Sequence, residues 1–236
     1  MSEGVSYDGA DLEALATLRR YRQWILDEFR PFLGGRAVEF GAGIGNIAEG
    51  LRPHVESLDL VEPSANLIGR LTDRFAADPA VAVHNVMLEA FSAGVADGAY
   101  DSAVLVNVLE HIEDDRAALA DLHRMLAPGG HLLLFVPALK FLFSDMDRLV
   151  GHFRRYTKPE LAGRVAEAGF QIRVCQYFDL LGIAPWYLMN TLLGATAFDP
   201  KLAGLYDAVG VPVTRFIEGL APPPVGKSLI LVARRD

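Results

Sequence analysis

Cysteine is nearly missing from this chain. Cys175 stands alone, which excludes an intrachain disulfide and any metal cluster built from thiolates, and it fits a reducing compartment. It sits in the apolar stretch Phe170 to Tyr177, so a buried thiol is expected there rather than a nucleophile. Long apolar runs are missing too. The longest, Leu180 to Met189, contains Pro185 and gives way to Asn190, short of the about 20 apolar residues that a bilayer span needs. Met1 to Asp8 has neither the basic start nor the apolar core of a secretion signal, so a cytoplasmic chain without a membrane span is expected. Basic residues are outnumbered, 22 Lys and Arg against 30 Asp and Glu for a net charge of −8, which disfavours nucleic acid as a partner.

What is present is a soluble globular composition, 51% hydrophobic and 22% charged over 236 residues. That length suits one α/β domain with an insertion and leaves little room for two. The most informative stretch is Val38 to Asn46. An apolar run ends in Glu39-Phe40 and then places glycines at alternate positions, Gly41, Gly43 and Gly45. Ala37 to Phe40 reads as a buried strand and Ile47 to Leu51 as the helix that follows. Glycine supplies the positive φ of so sharp a turn, and its missing Cβ lets a ligand lie against the main chain. The helix N-terminus offers free N–H groups to a polar or anionic ligand. A dinucleotide fingerprint is spaced G-x-G-x-x-G, which this turn is not.

The remaining pattern alternates strand and helix. Asp11 is placed to cap a helix from about Leu12 to Arg30, with Leu15, Leu18, Tyr21, Ile25 and Phe29 on one face and Trp24 packing at its edge. Ser57 to Glu62 reads as a second strand, and Glu62 at its tip lies about 20 residues past the first glycine, where an acid faces a ribose. Capping the helix Ala65 to Ala76 is the other reading of Glu62. Ala80 to Val86 and Tyr100 to Val106 read as the third and fourth strands, the fourth continuously apolar as a central parallel strand is. Asn107 then stands at a carboxyl end, where ligands bind in open α/β sheets. His111, one turn on, is either a base near the reacting group or a packing histidine. The helix Asp114 to Met125 stops at Pro128-Gly129-Gly130 before a fifth strand, His131 to Val136. Such alternation implies a parallel sheet covered on both faces.

Taken together, Glu39 to Asn46, Leu60 to Ser64, Tyr100 to Asp114 and Leu126 to Pro137 resemble the core of class I S-adenosylmethionine (SAM) methyltransferases of the bacterial small-molecule type. The resemblance implies a Rossmann-like, doubly wound α/β fold of seven strands with an antiparallel last strand, Ser228 to Ala233. It implies SAM as cofactor and S-adenosylhomocysteine as product. Glu39, Gly41, Ala42 and Gly43 are then expected around the methionine end, Glu62 and Pro63 at the ribose, Met87 and Leu88 by the adenine, and Asn107 beside the sulfonium, with Tyr21 in contact from the leading helix. Many members carry an acid where Met87 stands, so apolar contact and main-chain N–H groups replace it here. The domain is divided as a helical cap at 1–35, a cofactor core at 36–179, a helical lid at 180–224 and the last strand at 225–236.

On the acceptor side, Asp145 to Tyr156 is dense in polar and aromatic residues, more than a solvated connection requires. A Gly-His-x-Arg-Arg-Tyr segment like Gly151 to Tyr156 recurs in similar proteins. One reading has His152 removing or orienting the acceptor's proton, with Arg155 and Tyr156 holding the substrate. The other has these groups pairing with Asp145 and Asp147 to fix the loop. No metal is expected, since no His, Asp and Glu residues show convincing ligand spacing. The insert of about 45 residues between the last two strands is longer than an ordinary connection. It is apolar, with Trp186 placed toward the substrate, and suits a lid over a greasy acceptor, a peripheral membrane contact or a dimer contact. Monomer and homodimer both remain open. Gly226-Lys227-Ser228 is a turn rather than a phosphate loop, because Ala221 occupies the first glycine position. A small-molecule acceptor, methylated at oxygen or nitrogen, follows. A nicotinamide-dependent oxidoreductase and a non-catalytic SAM-binding module are the alternatives.

Overall fold

A computed structural model of the protein describes residues 17–197 and 199–236. The expected cap Asp11 and the helical start at Leu12 and Leu15 lie outside the described residues. Seven strands form one sheet in the order β3-β2-β1-β4-β5-β7-β6. They are β1 Arg36–Phe40, β2 Ser57–Val61, β3 Val81–His84, β4 Tyr100–Val106, β5 Leu126–Pro137, β6 Gln171–Phe178 and β7 Ser228–Arg234. The first five run parallel, and β7 inserts antiparallel between β5 and β6. This is the Rossmann-like sheet read from the alternating pattern.

Apolar runs such as Leu132-Leu133-Leu134-Phe135 divide by the two-residue strand period. Leu132 and Leu134 pack with Leu119, Leu122 and Leu161 on one face. Leu133 and Phe135 pack on the other with Trp24, Phe29, Leu51 and Leu71. Two separate cores therefore sandwich the sheet between helices, giving three layers. Trp24 stacks against Phe178 with ring centroids 3.8 Å apart.

Within the described residues the leading helix runs Arg19–Phe29. Its first N–H groups are capped from far along the chain. The Asp207 carboxylate accepts from Arg20 N–H at 3.1 Å and Tyr21 N–H at 2.9 Å, and Arg215 pairs with Asp27 at 2.8 Å. A carboxylate at a helix N-terminus stabilises it through hydrogen bonds and the helix dipole. The insert helices Pro200–Leu205 and Val211–Leu220 are thereby tied to the leading helix, whereas Ile183–Trp186 reaches toward the ligand end of the sheet.

Register levels the carboxyl ends of the central strands. Phe40 pairs with Val61 and Leu105, and Val61 pairs with His84. The residues that follow, Gly41, Glu62, Asn85 and Asn107, therefore share one rim. Beyond β5, Tyr156 N–H donates to Pro137 carbonyl and Leu139 N–H to Tyr156 carbonyl, both at 3.0 Å. These bonds hold the Gly151 to Tyr156 segment beside the same rim.

Tyr156 itself corrects an expectation. Its ring is wholly buried, its hydroxyl donates to Asp115 Oδ2 at 2.7 Å, and it does not face the ligand cavity. Asp115 also pairs with Arg154 at 2.8 Å and with Arg164. The tyrosine is a core anchor for the loop rather than a substrate contact. Burial works against the Asp115 charge, yet the bonds from Tyr156, Arg164 and Arg154 hold its carboxyl below the usual range.

Asp115→Asn leaves two guanidinium groups without their shared anion, and urea unfolding at pH 7 is expected to show a loss of about 3 kcal/mol. The folded carboxyl is depressed, so its contribution is full above its unfolded value of about 3.9 and is lost as pH falls through the lower folded one. The difference between wild type and variant is therefore expected to shrink in acid.

Candidate active site

At the rim lies a cavity of about 580 Å³. Its floor is the glycine turn after β1. Gly41, Gly43 and Gly45 have φ of +67°, +57° and +83°, in the left-handed region that side chains disfavour. A Cβ on Gly41 would stand 2.4 Å from Val108 Cγ2, so that glycine is required by space as well as by φ. Gly41 N–H donates to the Val61 carbonyl at 2.8 Å, which continues the parallel ladder one residue past the strands.

Glu62 closes the turn from the side. Its Oε2 accepts Gly43 N–H at 2.7 Å and its Oε1 accepts Ser64 N–H at 2.8 Å, while Asn85 Nδ2 donates to its carbonyl at 2.8 Å. Each carboxylate oxygen retains a lone pair for a further donor. Glu39 is buried nearby with Oε2 unpartnered. Burial, and then the charge of Glu62, pushes its carboxyl well above the usual range.

Tyr21, Glu39, Gly41, Ala42 and Gly43 line one part of this cavity. Glu62, Pro63, Met87, Leu88 and Asn107 line it along the neighbouring strand ends. Met87 is 47% exposed while Leu88 is buried, so the pair offers an apolar edge and an N–H rather than a charge. Asn107 has a φ of +53°, a conformation tolerated by asparagine better than by branched residues.

The same cavity extends without a break to Met146, Val150, His152, Arg155 and Trp186. The organiser of this far end is Asp147, which is fully buried. In a capping box its Oδ2 accepts Ser144 N–H and Oγ, each at 2.9 Å. Its Oδ1 lies 2.8 Å from His152 Nδ1 and accepts Arg155 Nε at 2.8 Å. Burial opposes its charge, but the bonds from His152 and Arg155 keep its carboxyl below the ordinary range. Arg155 is occupied further, donating to Ala138 carbonyl at 3.2 Å and standing 4.5 Å over the Trp186 ring. Arg155 thus lines the cavity with its guanidinium already engaged, and the loop-fixing pairing of Asp147 with His152 and Arg155 is realised. Asp145 instead pairs with Arg148 at 2.5 Å, out in solvent.

Behind His152 stand two groups from the segment after β4. Its Nε2 lies 3.8 Å from Glu110 Oε1, and its ring meets His111 edge to face at 4.6 Å. Glu110 is fully buried, neither of its oxygens is hydrogen-bonded among the described residues, and burial, opposed by His152, lifts its carboxyl to about 7. Burial and the adjacent His152 lower His111 to about 4. One ligand-type atom from each of Glu110, His111 and His152 lies within 4.8 Å of the others. Sequence spacing did not anticipate this, because His152 comes from beyond β5.

Two lining or bracing residues, Glu110 and Lys227, were given no role at the site from sequence. Lys227 Nζ bonds Asp179 at 3.0 Å and lies 4.9 Å over the Tyr21 ring. Acid and base letters flanking turns gave no signal of burial. The described helices include none long and apolar enough to cross a membrane.

A family model described as a methyltransferase domain matches residues 13–174. The chain is 26% identical over 173 residues to a ubiquinone biosynthesis O-methyltransferase of Ralstonia nicotianae, covering 64% of this chain and 71% of that one. It is 28% identical over 185 residues to an uncharacterised transposon TN4556 protein of Streptomyces fradiae, covering 68% of this chain but spanning only 51% of that relative's length. The solved N-methyltransferase NodS of Bradyrhizobium japonicum, in complex with S-adenosylhomocysteine, superposes with a TM-score of 0.60 at 18% identity over 92% of this chain and 86% of that chain.

Gly41→Ala is expected to cost about 2 kcal/mol in thermal or urea unfolding, from strained φ and the Val108 contact together. Adding Val108→Ala relieves only the contact. Partial recovery of the unfolding midpoint in the double variant is the checkable result.

Proposed function

Since the chain belongs to the SAM-dependent methyltransferase domain family, we propose that it moves the SAM methyl group to an oxygen or nitrogen of a small, largely apolar acceptor. The single observation that carries this is the continuity of the cavity from the glycine turn to His152 and Trp186. One end has the bent backbone and the Glu62 carboxylate that suit an adenosyl group. The other has aromatic walls and one imidazole held by Asp147.

The cofactor's sulfonium already activates the methyl, so the protein's tasks are alignment and care of the nucleophile's proton. Glu39, Gly41, Ala42 and Gly43 take the amino-acid end, and Glu62 with Pro63 takes the ribose. Met87 and Leu88 flank the adenine, Asn107 stands by the sulfur, and Tyr21 covers the cofactor. His152 and His111 meet the nucleophile, while Trp186 and the engaged Arg155 shape the acceptor wall. Phe141, Leu149, Phe153, Tyr187 and Leu188 are exposed. Three of them, Leu149, Phe153 and Tyr187, directly adjoin lining residues in sequence, which supports an apolar or lipid-linked acceptor. Family membership sets aside the oxidoreductase alternative.

Calorimetry with SAM, S-adenosylhomocysteine and NAD is expected to show binding of the first two only. Glu62→Ala is expected to weaken SAM at least about tenfold, as loss of a charged hydrogen-bond partner does. Unaltered affinity in that variant would overturn the assignment of the cofactor end. On an acceptor found by screening hydroxylated and amino compounds, His152→Ala is expected to lower kcat about 100-fold with SAM affinity retained. Binding with no turnover on any acceptor would favour a regulatory module instead.

A further inference from the structure

We propose that Glu110, His111 and His152 bind a divalent transition-metal cation of zinc-like character, and that the acceptor is a hydroxyl compound whose oxygen joins it. The inference rests on the acceptor lying at the His152 end of the cavity. It adds a metal site and selects oxygen over nitrogen.

Geometry comes first. The three candidate donor atoms lie within 4.8 Å of one another. Bonds of about 2.1 Å in a tetrahedral site place donors about 3.4 Å apart. Glu110 Oε1 and His152 Nε2 are already 3.8 Å apart, so a small inward side-chain movement completes the set.

The second observation is the state of Glu110. It is 0% exposed, and among the described residues neither carboxylate oxygen has a hydrogen-bond partner. A buried carboxylate without donors costs several kcal/mol, and native proteins pair such groups or place them on metals. Arg155, the cation nearest this cluster's Asp147, is already bonded to that carboxylate and to Ala138 carbonyl. A bound cation would satisfy Glu110, which among the described residues has only the His152 imidazole, at 3.8 Å, beside it as an ion-pair partner.

The third is the outer contacts of the two imidazoles. His152 places its Nδ1 2.8 Å from Asp147, which turns Nε2 toward Glu110. His111 sets its Nδ1 against Gly151, where an added Cβ would stand 3.8 Å away. Metal-binding histidines characteristically commit their second nitrogen to a carboxylate or carbonyl, which fixes the tautomer and the ring direction. Asp147 is itself held by Ser144 and Arg155, so the support extends one layer further.

Two imidazoles and one carboxylate suit zinc, cobalt or ferrous iron better than magnesium or calcium, which favour all-oxygen surroundings. Three protein ligands leave a position open. Since His111 and His152 line the cavity and Glu110 lies behind them, that position faces the acceptor. There the cation lowers the pKa of an acceptor hydroxyl. The O–H proton leaves to water, and the resulting oxyanion attacks the SAM methyl carbon. A carbon–oxygen bond forms as the carbon–sulfur bond breaks, the sulfur keeping its electron pair to give neutral S-adenosylhomocysteine. His152 then orients and polarises through the cation rather than taking the proton on its own ring.

The test uses the full chain, stripped with a chelator and titrated with Co²⁺. Wild type is expected to bind one equivalent, with the visible absorption of a cation held in a four- or five-coordinate nitrogen-containing site. Glu110→Gln and His152→Ala are expected to weaken Co²⁺ at least tenfold, and Asp147→Asn, one layer out, about tenfold. S-adenosylhomocysteine calorimetry on each protein reports folding and the cofactor end independently of metal. Cofactor binding in wild type without a stoichiometric Co²⁺ site would overturn this proposal and leave the methyltransferase assignment standing. So would a folded, cofactor-binding Glu110→Gln variant that holds Co²⁺ as tightly as wild type.

Discussion

The hydrogen bond from Gly43 N–H to the Glu62 carboxylate, 2.7 Å long, is the constraint on which the glycine-turn end of the cavity depends. It joins the turn after β1 to the tip of β2, across strands that are already in parallel register. A glycine-rich turn by itself has many conformations, and its backbone entropy is the largest that any residue type brings. Anchoring one N–H to a carboxylate whose other oxygen is fixed by Ser64 selects among them. The cost is a second buried acid beside Glu39, whose carboxyl is pushed well above the usual range by burial and then by the charge of that neighbour, as like charges in one small space require.

Asp147 plays the matching part at the far end of the cavity, beside His152 and Arg155. Five hydrogen-bonding groups converge on its two oxygens, from Ser144, His152 and Arg155, so a charge inside the protein is paired and the loop around it is held in one arrangement. Below it, Tyr156 and Asp115 pin the same segment to the core. A segment of polar residues after the fifth strand thus becomes a wall as firm as the strands. Placement within a fraction of an ångström is what alignment of nucleophile and methyl requires.

The two ends meet because β4 contributes to both. Asn107 lines the cavity beside the glycine turn, and within four residues Glu110 and His111 face His152. The stretch between them is short and includes the buried Leu109.

Strand count, strand identity and the cofactor turn were legible in the chain because they rest on local rules. Apolar runs of strand length, glycines where φ must be positive, and an acid at a strand tip are all read within a few residues. The long-range facts were not. Asp207 caps the leading helix from the far end of the insert, Tyr156 turns inward to Asp115, and Glu110 is left buried without a donor. Sequence spacing argued against a His and Glu cluster, since His152 lies some forty positions beyond His111, yet the sheet brings their rings to 4.6 Å. Apolar runs of strand length, the glycine spacing and an acid at a strand tip determined that this chain forms a mostly parallel sheet with a glycine turn at its carboxyl edge. Which polar side chains meet there was decided only by the tertiary structure, because burial and electrostatic pairing depend on distances through space that chain order does not encode.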